Sequence, residues 1–131
     1  MEQPQYLLDT NAIIDFLGDK FSPAARDFMA GIIDNVPNLS VITKIEVLGY
    51  NAPEKESVLL NDFMNDAMVL DLGADIVSIT IDIRKRYKIK LPDAIIAATA
   101  MSRSFTLISR NFDDFKIISD LKLVNAHTIL L

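Results

Sequence analysis

The chain contains no cysteine. That excludes disulfide staples, thiolate zinc sites and cysteine nucleophiles, and makes a reducing, cytoplasmic setting the natural expectation. A single histidine, His127, rules out a histidine-rich metal centre, and that residue reads as an ordinary strand or surface position. There is no glycine-rich phosphate loop and no G-x-S-x-G elbow. No run approaches the roughly 20 apolar residues of a membrane span. The start lacks the basic segment of a signal peptide. Repeats, low-complexity tracts and linkers are missing as well, so the 131 residues read as one domain over 1–131.

What is present is enough apolar mass for a full core. Half of the residues are hydrophobic, and a chain of this size buries roughly two-thirds of its unfolded surface. Met64, Met68 and Met101 read as core filler. The net charge is −5, which taken over the whole surface argues against a polyanionic partner. The distribution is uneven, however. Arg84, Lys85, Arg86, Lys88 and Lys90 fall just ahead of Asp93, and Arg103 and Arg110 follow. Such a run is either a solvated helix end or a grip for phosphates.

Hydrophobic spacing predicts alternating strands and helices. Residues 6–8 read as a buried strand and 11–17 as a helix closed by Gly18. Ser22-Pro23 is a strong helix start, followed by one apolar face of Ala25, Phe28, Met29, Ile32, Ile33 and Val36. A strand over 39–42 leads into a helix from Thr43 to about Tyr50. A further helix spans about 54–66 and a third strand 68–70. Residues 74–88 fit both strand alternation and a helical face through Ile76, Ile79, Ile83 and Tyr87, and the length favours a helix. Pro92-Asp93 opens a helix that is apolar nearly all round and should therefore be central. Strands over 106–108 and 123–126 complete the pattern. The expected fold is α/β, with a mostly parallel sheet of four to five strands and helices on both faces. Ligands in such sheets bind beyond the carboxyl ends of the strands, where strand order switches.

Four acidic positions fall where such a sheet gathers residues. Asp9 ends the run Tyr6-Leu7-Leu8, Glu46 stands three residues after Thr43, and Asp93 follows Leu91-Pro92. The fourth lies within Ser109-Arg110-Asn111-Phe112-Asp113-Asp114-Phe115. Acids forced together repel unless a cation joins them, and an oxygen-only set suits Mg²⁺ or Mn²⁺. That chemistry points to metal-assisted cleavage of a phosphodiester. Each acid also has a plain structural reading. Asp9 suits a helix N-cap, Thr43-x-x-Glu46 matches a capping box, and Asp93 complements a helix dipole. Caps, however, need no mutual geometry, and a site does. Ser40, Thr43 and Ser109 either hydrogen-bond these carboxylates or serve turns and caps.

The segment Leu7-Leu8-Asp9-Thr10-Asn11-Ala12-Ile13-Ile14-Asp15 resembles the opening motif of PIN-domain ribonucleases. Residues 40–49, 91–100 and 107–115 resemble the second, third and fourth motifs, in the right order along nearly the whole chain. Size and motif spacing look most like VapC-type toxins of type II toxin–antitoxin pairs. The resemblance implies a Mg²⁺- or Mn²⁺-dependent endoribonuclease in which Asp9 and Asp93 hold the main metal. Glu46 and Asp114 would complete the acidic ring, with Asn111 as a neutral ligand. Asn111, Asp113 and Asp114 all compete for the fourth position. Arg84, Lys85, Arg86, Arg103 and Arg110 become candidates to grip RNA. A homodimer and a separately encoded antitoxin are implied as partners. The rival readings are a processing nuclease without an antitoxin, a PIN-like domain that binds without cutting, and a phosphoacceptor signalling domain. The last would need paired acids after the first strand and a lysine after the last; here Thr10-Asn11 and His127-Thr128 stand there.

Overall fold

The computed structural model describes residues 5–129. Tyr6–Leu8 forms β1 and Thr10–Leu17 forms α1, with Asp9 as the cap between them. Pro23–Asp34 is α2, started by Ser22, whose hydroxyl accepts the N–H of Ala25. Asn38–Ser40 is β2, Val41–Leu48 α3, Glu54–Asp66 α4 and Met68–Leu70 β3. Ala74–Arg86 is α5, Leu91–Ser102 α6, Thr106–Ile108 β4, Phe112–Phe115 α7 and Leu123–Val124 β5.

The strands pair in parallel, in the order β3-β2-β1-β4-β5. The chain builds outward from β1 to β3, then returns to the other side of β1 for β4 and β5. The order therefore switches between β1 and β4, and their carboxyl ends flank the crevice where such sheets bind ligands.

Alternation along the strands divides the core into two layers. Leu7 and Leu107 pack with Ile76 and Ile83 of α5 and the buried face of α6. Leu8, Leu39 and Ile108 pack with Ile13 of α1, Met29 of α2 and Met64 of α4. In α6, every residue from Ala94 to Ala100 is buried, as its apolar surround predicts. The buried Thr80 and Thr99 hydroxyls donate to the carbonyls of Ile76 and Ile95, both at 2.7 Å, so neither is left unsatisfied.

Several boundaries depart from the sequence reading for local reasons. The second strand stops at Ser40, because the Ser40 hydroxyl accepts the N–H of Ile42 at 3.1 Å and starts α3 there. A good capping residue overrides the β preference of Val41 and Ile42. Thr43 thus lies inside the helix, and Thr43-x-x-Glu46 is no capping box. Val36 is not on the α2 face: the helix ends at Asp34, and Val36 is exposed with φ 61°. Met68 is exposed on the edge strand β3 and fills no core. The last strand ends at Val124, since the Asn125 side chain accepts the N–H of His127 and starts a 3₁₀ turn over Ala126–Thr128.

Leu8 sits at the middle of the sheet and is fully buried, whereas Ile45 is 61% exposed. Leu8→Ala should cost about 2–5 kcal/mol of unfolding free energy, and Ile45→Ala less than about 0.5 kcal/mol. Urea unfolding of the two variants checks the layer assignment.

Candidate functional site

Parallel pairing carries three polar side chains to the same end of the sheet: Asp9 after β1, Ser40 at the end of β2 and Ser109 after β4. All three are buried. Asp9 Oδ1 accepts the N–H of Thr10 at 2.7 Å. Asp9 Oδ2 accepts the Ser109 hydroxyl at 2.7 Å and the Asn11 amide at 3.1 Å. Asp9, whose carboxylate starts α1, also feels the charges of Asp93 and Glu46, so a capping role and a candidate-site role are compatible. Its carboxyl is nonetheless held above the ordinary value. Burial is the largest cause, and Asp93 and Glu46 raise it further against the lowering effect of Ser109 and Thr10.

Asp93 lies in the first turn of α6. Its carboxyl is also raised, first by burial, then by the charges of Asp114 and Glu46, and only Lys90 opposes this. No hydrogen bond contributes. Glu46 projects from α3 and accepts the Thr10 hydroxyl at 2.7 Å. Asp114 accepts the side-chain amide of Asn111 at 2.9 Å. Asp113 pairs with Lys116 at 3.1 Å. Asp93 and Glu46 thus bear on Asp9, and Asp114 and Glu46 on Asp93, from four different elements.

Among the described residues, no three acidic or histidine side chains form a finished metal cage. Mg²⁺ does not require one, because it keeps several waters and takes one or two carboxylates. Oxygen donors only, mutual repulsion and a buried member together fit a hydrated hard cation better than a zinc-type ion. An open groove of about 430 Å³ adjoins the acids, lined by Asp93, Asp113 and Asp114 together with Lys88, Ile89, Lys90 and Ile117.

The basic residues separate. Lys88 and Lys90 line that groove. Arg84 donates to the carbonyl of Ile89 at 2.6 Å and Arg86 pairs with Asp82 at 3.2 Å, while Lys85 is exposed. Arg103 ends α6, ten residues and about 15 Å along the helix from Asp93, and it precedes β4, so it stands at the amino end of the sheet. Arg110 pairs with Asp15 at 3.1 Å.

Asp15, Thr10 and Asn11 escaped the sequence reading. Asp15 had a usable signal, since it stands three residues after Ala12 on the buried face of α1, and an acid on such a face needs a partner. His127 is one of its partners, at 2.8 Å, with its ring 4.3 Å from that of Phe21. It lies in the 3₁₀ turn, not in a strand.

A family model described as PIN domain matches residues 6–121. The chain belongs to the PIN domain family. None of the curated protein sequences is significantly similar to it. Among solved structures, this PIN domain is similar to a chain of a toxin-antitoxin complex from Klebsiella pneumoniae, with 28% identity over 93% of this chain and 98% of that one and a TM-score of 0.73. It shares the fold of a chain in DNA-bound VapBC from Salmonella typhimurium (23% identity, 95% and 99% covered, TM-score 0.79). The same holds for VapBC2 from Rickettsia felis bound to a promoter DNA fragment (22%, 92% and 97%, 0.77). No helix among the described residues is long and apolar enough to cross a membrane.

The raised carboxyl of Asp93 makes a signed prediction. Above the ordinary value of 3.8, and up to its native value, the folded chain keeps a proton that the unfolded chain has lost. Stability therefore falls as pH rises through that window, and ionised Asp93 weakens the fold at neutral pH. Asp93→Asn should raise the melting temperature at neutral pH, and the gain should close below 3.8. A lower melting temperature at neutral pH would instead mark the carboxylate as a structural cap.

Proposed function

We propose that this PIN domain is a divalent-metal-dependent endoribonuclease and the toxin of a toxin–antitoxin pair, acting in the cytoplasm. The observation that supports the reading best is that Asp9 and Asp93, on different elements, are both raised by burial and by nearby acids, Asp93 and Glu46 for Asp9 and Asp114 and Glu46 for Asp93. Asp9 and Asp93 would hold Mg²⁺ or Mn²⁺, with Glu46 and Asp114 completing the ring and Asn111 steadying Asp114. Bound there, the cation makes water a better nucleophile near neutral pH and offsets charge on the phosphorus oxygens.

The chain supplies orientation. Ser109, Asn11 and the Thr10 N–H fix both oxygens of Asp9, and the Thr10 hydroxyl fixes Glu46. Among the described residues the Asp93 carboxylate has no hydrogen-bond partner, which leaves it open to a ligand. Lys88 and Lys90 stand where RNA phosphates would enter the groove, with Lys85 as an outer contact. Arg103 is too far away to join them. No covalent protein intermediate is required.

The toxin reading has a support of its own. Ile14, Tyr50 and Leu59 are exposed around a largely apolar groove of about 470 Å³ between α1, α3 and α4. Exposed apolar surface of this kind marks a protein interface, as an antitoxin segment would need. The similar structure from Klebsiella pneumoniae is itself a toxin-antitoxin complex. A homodimer belongs to the same proposal.

Purified protein with end-labelled RNA tests the chemistry. Cleavage should require Mg²⁺ or Mn²⁺, stop with EDTA, and fall by more than about 100-fold in Asp9→Asn and Asp93→Asn, beyond the usual cost of losing an outer-shell partner. Cleavage that persists with EDTA or in both variants would overturn the reading.

A further inference from the structure

Asp15 is an acid that the proposed chemistry does not use. Its side chain is 2% exposed, yet both of its oxygens are engaged from distant parts of the chain. Oδ1 accepts Arg110 Nη1 at 3.1 Å across 95 residues, and Oδ2 meets His127 Nε2 at 2.8 Å across 112 residues. Arg110 belongs to the loop that leaves β4, one residue after Ser109 and one before Asn111. Its guanidinium turns back onto α1.

The consequence runs through the backbone of that loop. The Arg110 N–H donates to Asn11 Oδ1 at 3.2 Å. An asparagine side chain has one accepting and one donating end. With Oδ1 taken by Arg110, Nδ2 must face the other way, where it donates to Asp9 Oδ2 at 3.1 Å and reaches Ser109 Oγ at 3.4 Å. The opposite orientation would set the amide oxygen against a carboxylate oxygen. We infer that Asp15, by anchoring Arg110, fixes the orientation of the Asn11 amide and so the aim of the Asp9 carboxylate, which makes Asp15 and Arg110 positioning residues and removes Arg110 from the RNA-binding set. This rests on the nuclease reading above. The charge pair lies behind the acidic crevice and acts on it through one amide. Outer partners of this kind tune ligands that they never touch.

Two measurements on the full chain test it: Mn²⁺ affinity from the electron paramagnetic resonance signal of the free ion, and the KM for labelled RNA at saturating Mn²⁺ as salt is varied. Asp15→Asn and Arg110→Ala should each weaken Mn²⁺ binding by roughly tenfold, the lower end for an outer-shell loss. The double variant should be no weaker than either single one, because the two act as a unit. The KM and its salt dependence should stay at wild-type values. Arg110→Ala with wild-type Mn²⁺ affinity overturns the inference. So does a raised KM whose salt slope falls by about 0.7, the signature of one lost single-strand phosphate contact. Should Asp15→Asn lose its fold by circular dichroism, Arg110→Ala decides alone, since that side chain is 54% exposed and leaves no cavity. Wild-type protein without saturable Mn²⁺ binding overturns the nuclease reading and this inference with it. Wild-type binding that Arg110→Ala leaves intact overturns the inference only.

Discussion

Repulsion between carboxylates at the carboxyl ends of β1 and β4 is the constraint to which the rest of this molecule answers. Asp9 and Asp93 both have raised carboxyl values, and in each case burial is the first cause and other acids of the same crevice add to it. A fold selected only for stability would not bury one acid and point others at it, because each ionised group in such a place costs free energy. The surroundings limit that cost without removing it. Asp9 receives three hydrogen bonds, Glu46 and Asp114 one each, and Asp93 none that shifts it. The best supported acid is the most buried, and the least supported, Asp93, lies with Asp114 on the groove wall.

The two core layers explain how such a site stays rigid. Strands of three residues give little backbone pairing, so the strand ends are held mainly by what packs above and below them. Leu7 and Leu8 place adjacent residues in different layers, and Asp9 follows directly. α6 is buried along seven successive residues, which fixes its first turn and therefore Asp93. β1 and α6, which place Asp9 and Asp93, are thus among the best packed elements of the chain, and preorganised charge at a site needs that kind of support.

Much of this was legible in the sequence, and what was hidden shares a cause. The third strand, α4 and the fourth strand follow from apolar spacing, whereas over 74–88 that spacing fits strand and helix alike and the length of the segment decides for the helix that is found over Ala74–Arg86. Asp9, Glu46 and Asp93 stand out because each follows an apolar run or opens a helix, and the resemblance of their motifs to those of a known family adds to that reading. Caps were harder. Ser40 ended β2 two residues early, since one hydroxyl outweighed two β-branched neighbours, and this moved Glu46 from a local capping role to a contact with Thr10. Ser109 reads from the sequence as a candidate partner of a carboxylate and does bond Asp9, whereas the partners least visible were those of Asp15, with His127 across 112 residues and Arg110 across 95. No local pattern encodes such pairs. Only the buried position of Asp15 on an apolar helix face hinted that a partner existed.

The net charge of −5 looks like an obstacle to RNA, and the placement of the charges shows why it is a weak one. Net charge sums over all faces, whereas a phosphate entering the groove feels what lies within about 8 Å at physiological ionic strength. There the acids face Lys88 and Lys90. One divalent ion cancels half the charge of four carboxylates, and a second cancels the rest. Under the proposed chemistry, metal loading would make the groove less repulsive to a polyanion: the four acids would be neutralised, Asp113 is paired with Lys116, and Lys88 and Lys90 remain. Metal and RNA would then bind in that order, with each favouring the other, as linkage requires. The acidic composition is thus no objection to the proposed nuclease; under that proposal the metal would be a condition for holding the substrate as well as for cutting it.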